Sequence, residues 1–212
     1  MNKTTLYIIR HGKTEGSQDR RYKGHIDVPL SEEGLRQVQD LADALFRSGV
    51  SPSRIYSSDL KRAVQTAEAI DNALSCGITI EPRLRERSFG VWEGMTFEEI
   101  SKAWPEAFEN WKADPLRFHP PEGESTLEVR DRVMEATEEI LQKHRGEEVL
   151  IVAHGGVNRV LICEFLGLDL RHIFRIEQDF ACVNIVDIYE DGLPVVKRLN
   201  YHCNNCLLKD LP

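Results

Sequence analysis

Two apolar runs in this chain end in the same way. Leu6-Tyr7-Ile8-Ile9 leads into Arg10-His11-Gly12, and Val149-Leu150-Ile151-Val152-Ala153 leads into His154-Gly155-Gly156. Runs of this length suit buried strands, and a helical stretch, Val157 to Leu166, comes directly after the second. In open α/β sheets the carboxyl ends of strands are where ligands bind. Both histidines should lie at one sheet edge, with a helix N-terminus behind His154. An isolated strand-end histidine is most often structural, but two on one edge are much harder to dismiss. Arg10 adds a planar fork suited to phosphate oxygens. Imidazole, neutral near pH 7, can act as base or nucleophile. Gly12 reads as the residue that turns the backbone away from the strand.

The rest of the chain alternates helical and strand patterns. A polar loop, Gly16 to Gly24, holds Arg20, Arg21 and Lys23. Ser31 is a good N-cap with Glu32 and Glu33 in the first turn, ahead of an apolar face of Leu35, Val38, Leu41, Ala42 and Leu45 that stops at Gly49. Ile55 to Ser57 reads as a second strand. The next helix has Ala63, Ala67, Ile70 and Leu74 on its apolar side and Arg62 in its first turn, either beside a bound anion or simply exposed. A third strand is expected within Gly77 to Pro82. Glu86, between Arg85 and Arg87 and followed by Phe89 and Trp92, is either a carboxylate tuned for acid–base work or an ion-paired loop residue. Thr96 to Arg117 should form short helices with Ile100, Trp104, Phe108 and Trp111, broken by Pro105 and Pro115, as a cap over a cleft. Ser125 to Glu128 is a capping box for a long helix burying Val129, Val133, Ala136 and Ile140. Ala181 to Ile188 and Val195 to Leu199 form a hairpin about Glu190-Asp191-Gly192.

Composition narrows the function classes. The 212 residues, with no linker or repeat, suit one domain over 1–212 with a cap-like insertion around 93–124. A net charge of −8 argues against a general nucleic-acid binder, which wants a basic face, yet leaves room for a small anion held by a local arginine cluster. No run approaches a membrane span, and the first residues do not form a signal peptide. Five scattered cysteines favour reduced thiols and a cytoplasmic protein. Cys203-Asn-Asn-Cys206 has metal or redox spacing but no second pair to complete a zinc site.

Gathered at one edge, Arg10, His11, Arg62 and His154 favour phosphoryl chemistry. Two guanidiniums and a protonated His154 would neutralise the equatorial oxygens. His11 would attack phosphorus in line. Glu86 would protonate the leaving alkoxide and later deprotonate the hydrolytic water. No Walker-type loop or carboxylate cluster is present, and no cofactor or metal is expected.

With these residues in view, the chain resembles the histidine phosphatase superfamily (phosphoglycerate-mutase-like). Arg10-His11-Gly12 resembles its opening motif, Ser57 to Arg62 its second phosphate-binding arginine, Leu84-Arg85-Glu86 its acid/base loop, and Ala153-His154-Gly155 its second histidine. The resemblance implies a three-layer α/β/α sandwich on a mixed, mostly parallel sheet, with a phosphohistidine at His11. It also implies phosphate contacts from Arg10, Arg21, Gly24, Arg62 and Gly155. Two positions depart from the common pattern: Lys13 comes after the opening motif, and Ser17 stands where many relatives have Asn, still able to donate one hydrogen bond. The loops Phe89 to Gly94 and Phe118 to Ser125 look most like those of small bacterial α-ribazole phosphatases. Broad or sugar-phosphate phosphatases, phosphoglycerate mutases and a non-catalytic binding module are the alternatives. The expected partner is a small phosphorylated metabolite, bound by a monomer or a homodimer, with neither nucleic acid nor membrane involved.

Overall fold

A computed structural model describes residues 3–202; the Cys203 and Cys206 pair therefore lies outside the described residues. The sheet has six strands: β1 (Lys3–Arg10), β2 (Arg54–Ser57), β3 (Ile78–Ile80), β4 (Glu148–Ala153), β5 (Val183–Tyr189) and β6 (Pro194–Tyr201). Their spatial order is β3-β2-β4-β1-β5-β6. The first four run parallel, β5 lies antiparallel to β1, and β6 antiparallel to β5. β1 is thus central, and its last residue, Arg10, is in register with Ala153 at the end of β4.

The apolar runs are buried on both faces, and strand periodicity divides them between two cores. Leu6, Ile8, Val149 and Ile151 pack against α5 (Thr126–Lys143) and α6 (Gly155–Leu166), meeting Val133, Ala136 and Val157. Tyr7, Ile9, Leu150 and Val152 face α1 (Glu32–Arg47) and α2 (Lys61–Leu74), meeting Leu41, Leu45 and Ile70. Helices on both faces of a mixed sheet make the three-layer α/β/α sandwich. The path from β3 to β4 is a long excursion that includes Glu86, α3 (Phe97–Ala103), α4 (Pro105–Ala113) and α5. Trp92, Ile100 and Phe108 bury themselves there in a small third core, apart from the sheet. Capping boxes open α3 at Thr96 and α5 at Ser125, and the Ser31 hydroxyl accepts from Gly34 N at the start of α1.

Three local expectations change. α6 starts at Gly155, directly after His154, so both glycines belong to the helix. β3 is limited to Ile78–Ile80. Leu35 is 48% exposed, while its neighbour Gly34 is buried. The last change has a steric cause: α1 begins hard against the loop after His11. A Cβ on Gly34 would sit 1.9 Å from the Lys13 carbonyl oxygen, and one on Gly12 would sit 2.7 Å from Val38 Cγ1 and 2.8 Å from the Gly34 carbonyl oxygen. Gly12 is therefore required for close approach between loop and helix, rather than for turning the chain. Gly34→Ala should cost about 1–3 kcal/mol, the usual penalty of forced overpacking. Urea unfolding measures it, and unchanged stability would mean the helix can shift freely.

Candidate active site

The carboxyl ends of β1 and β4 lead into a cavity of about 370 Å³, lined by Arg10, His11, Gly155 and Gly156. His11 comes next after β1, its amide bonded to the Ala153 carbonyl at the end of β4. His154 comes next after β4, and the two imidazole centroids are 5.1 Å apart. Both histidines thus share one sheet edge.

Ring protonation is set by the partners. His11 Nδ1 lies 2.7 Å from the Gly12 carbonyl oxygen. A carbonyl only accepts, so Nδ1 carries the proton and Nε2 keeps its lone pair. His154 Nδ1 accepts from Arg62 Nε at 3.3 Å, so Nε2 bears hydrogen and donates to Ser58 Oγ at 2.9 Å. Burial, then Arg10 and Arg62, hold His11 well below the ordinary imidazole value. Burial, then Arg62, does the same to His154. The expectation of a protonated His154 is therefore corrected: fully buried, with guanidiniums as its nearest charges, the ring is neutral here.

These neutral rings make stability depend on pH. Their native values lie below the unfolded value near 6.5, so below that pH the unfolded chain binds protons that the native fold refuses. Their stabilising contribution is complete above pH 6.5. It should decline from there toward the lowered native values, at about 1.4 kcal/mol per pH unit for each histidine. Urea unfolding at pH 7.0 and 5.5 tests this; equal stabilities would place a proton on the native rings.

Arg62 stands second in α2 and is only 2% exposed, which excludes the solvent-facing alternative. Beyond its bond to His154 it donates to the carbonyls of Ile26 at 2.8 Å and Gly24 at 2.7 Å. Gly24 thus serves as an acceptor that fixes the guanidinium. Arg10 donates through Nη1 to the Gln178 carbonyl, and its guanidinium carbon stacks 4.0 Å from the Phe180 ring centroid. Gln178 is held in turn by buried Asn184. Arg10 Nε is buried with no hydrogen-bond partner, and so is Ser17 Oγ. Buried polar atoms are almost always satisfied, so two orphans lining one cavity with His11 mark where a ligand's acceptors belong. Arg62 and Lys23 line the same cavity; Lys23 is lowered by burial and by Arg62.

Glu86 reaches this site from the β3–β4 excursion. Its Oε2 accepts from Gly156 N at 3.1 Å and its Oε1 from Arg87 N at 3.0 Å. The flanking guanidiniums go elsewhere. Arg85 pairs with Asp59, and Arg87 donates to the carbonyls of Glu124 and Phe118 and to Thr126 Oγ1. The ion-paired alternative for Glu86 is thus not realised. A Cβ on Gly156 would fall 2.4 Å from Glu86 Oε1, so a larger residue there would push the carboxylate aside. Gly155 begins α6 between Arg10 and Arg159.

Other expected residues stand farther out. Arg21 lines the rim, but its guanidinium is committed to Glu99 and the Gly94 carbonyl. Lys13 pairs with Glu33 and is absent from the cavity wall. Of the three tryptophans, Trp111 lines the cavity, Trp92 is buried in the third core, and Trp104 sits at the exposed α3–α4 junction. Sequence reasoning missed Arg159, Phe174 and Phe180, which complete the wall. Arg159 had a usable signal, five residues past His154 on the helix that His154 opens; Phe174, in the 3-10 stretch Leu170–Arg175, and Phe180, in a turn, had none.

Among the described residues, no group of three or more His, Cys, Asp or Glu side chains is arranged to hold a metal ion. No helix there is long and apolar enough to cross a membrane.

Comparison with known proteins adds to this geometry. The model of the histidine phosphatase superfamily (branch 1) matches residues 6–202. The chain is 36% identical over 197 residues to a bifunctional protein of Mycobacterium tuberculosis, covering 93% of this chain but 54% of that one, about half its length. It is 34% identical over 199 residues to phosphoserine phosphatase 1 of Hydrogenobacter thermophilus, covering 94% of this chain and 93% of that one. Its fold superposes on the crystal structure of the α-ribazole phosphatase from Shigella flexneri with a TM-score of 0.85 at 28% identity, covering 93% and 96% of the two chains.

Proposed function

Because the chain belongs to the histidine phosphatase superfamily, we propose that it is a phosphomonoesterase working through a phosphohistidine on His11, with α-ribazole 5′-phosphate as substrate. The observation that carries the reading is the His11 tautomer: Nδ1 is tied to the Gly12 carbonyl, leaving an unprotonated Nε2 beside two guanidiniums. In the first step Nε2 bonds to phosphorus, the P–O bond to the leaving group breaks, and the protonated Glu86 gives its proton to the departing oxygen. In the second, Glu86 takes a proton from water, the water oxygen bonds to phosphorus, and the P–Nε2 bond breaks. Arg10, Arg62, Ser17 Oγ and the Gly155 amide hold the phosphoryl oxygens. His154 stays neutral, and its Nδ1 lone pair accepts from Arg62 Nε, holding that guanidinium toward the phosphoryl oxygens.

The leaving-group reading is supported by the aromatic wall of Phe89, Trp111, Phe174 and Phe180. Phe174 lines the cavity and is 74% exposed, so its ring face is open to a ligand. A benzimidazole nucleoside could stack there. A second reading, a phosphorylated hydroxy acid, is favoured by Arg159, a cation on the same wall able to pair a carboxylate.

The test is a comparison of rates without added metal on α-ribazole 5′-phosphate, O-phosphoserine, sugar phosphates, and 3-phosphoglycerate with its bisphosphate primer. Preference for the first by orders of magnitude is expected. Preference for phosphoserine would select the second reading, and isomerised phosphoglycerate would overturn hydrolysis. Phe174→Ala should raise KM for α-ribazole phosphate up to about tenfold, the scale of one aromatic contact, and leave small alkyl phosphates unaffected. An equal effect on both would remove Phe174 from recognition.

A further inference from the structure

The Glu86 carboxylate has an unusual support. Both of its oxygens are held by backbone amides, those of Arg87 and Gly156. Its position therefore depends on the backbone path of residues 83–88, which contains only a single 3-10 turn, Pro82–Leu84. Something else must fix that path.

Arg132, on α5, fills this role with its whole guanidinium. Nη1 donates to the carbonyls of Arg83 at 2.6 Å and Arg85 at 2.8 Å. Nη2 donates to the carbonyl of Glu86 itself at 3.0 Å and to Glu124 Oε2 at 3.0 Å, while Nε donates to Glu124 Oε1 at 2.8 Å. These bonds account for all five N–H groups of an arginine. Glu124 in turn accepts from the Ser88 amide at 2.8 Å. The Arg132–Glu124 pair therefore grips the chain before, at and after Glu86. Arg132 does not line the cavity, so it touches neither substrate nor the reacting atoms.

We infer that Arg132, braced by Glu124, is a positioning residue for proton transfer, setting the Glu86 carboxylate against the leaving-group oxygen. This inference rests on the reading of Glu86 as the acid and base. A lysine keeps the charge but offers one nitrogen, which cannot span three carbonyls and a carboxylate.

Leaving-group dependence separates this role from a general effect on folding. A poor alkoxide leaving group needs Glu86 to protonate it, whereas 4-nitrophenolate departs without help. We would compare kcat/KM on glycerol 2-phosphate and on 4-nitrophenyl phosphate for wild type, E86Q, R132Q, R132K and the E86Q/R132Q double variant. R132Q should lose roughly 10- to 100-fold on the alkyl phosphate, part of a full acid–base contribution, and less than about threefold on the aryl phosphate. R132K should show the same pattern, and the double variant should be no slower than E86Q alone.

If E86Q discriminates between the substrates while the Arg132 variants lose both equally or neither, the positioning role is overturned and the reading of Glu86 stands. Additive losses in the double variant would overturn it too. Should E86Q itself lose both equally, the reading of Glu86 fails, and the inference with it. Failure of both R132Q and R132K to fold would assign Arg132 to the scaffold instead.

Discussion

Replacing His11 by Ala should abolish the acid-labile phosphoenzyme and reduce turnover on the order of 10⁵-fold or more, the scale seen when a covalent nucleophile is lost. The neighbouring groups offer no substitute. His154 has both ring nitrogens engaged, one by Arg62 and one by Ser58, and its lone pair is turned to a guanidinium rather than to phosphorus. Labelling with radioactive substrate, then quenching in acid and in alkali, reads the intermediate directly. Retained label in His11→Ala would displace the nucleophile to another residue. The fold should survive, because the His11 amide still bonds the Ala153 carbonyl and the ring makes no bond beyond Gly12.

Glu86→Gln should slow alkyl phosphate turnover by roughly 10²- to 10⁴-fold, the range of general acid–base groups. The carboxylate accepts from two backbone amides, and a carboxamide can accept through its oxygen but not through its nitrogen. One of these anchors must therefore be lost along with the titratable proton. With 4-nitrophenyl phosphate the first step should stay fast while water attack slows, so phosphohistidine should accumulate after a burst of nitrophenol. A variant with wild-type rates and no burst would assign the proton to another group.

How much of this was legible in the sequence depends on what each residue answers to. His11 and His154 were legible because an apolar run can only be buried, and the residues just past its end must emerge at the sheet edge. The capping box at Ser125 was legible from its spacing, whereas the one at Thr96, with Glu99 three residues on, was found only in the structure. The burial of Arg62 was not legible. A first-turn arginine has the same spacing whether exposed or buried, and here the carbonyls of Gly24 and Ile26 decide it. Leu35 failed because helical periodicity does not reveal that a loop lies against one turn of α1, where only Gly34 fits. The charge of His154 depends on which cations surround it, and those come from separate segments of the chain. Arg132 reads as an ordinary polar helix position until its five acceptors are brought together.

The third core, built on Trp92, Ile100 and Phe108, shares no buried residue with the two that sandwich the sheet. Arg10, His11 and His154 hang from the sheet, whereas Trp111 and Phe89, on the aromatic wall of the cavity, lean on this separate cluster. Mutational drift can therefore remodel one half of the cavity without loosening the other. A lineage built this way can change its diet while keeping its teeth, which suits a family in which one relative is named for phosphoserine and another for α-ribazole.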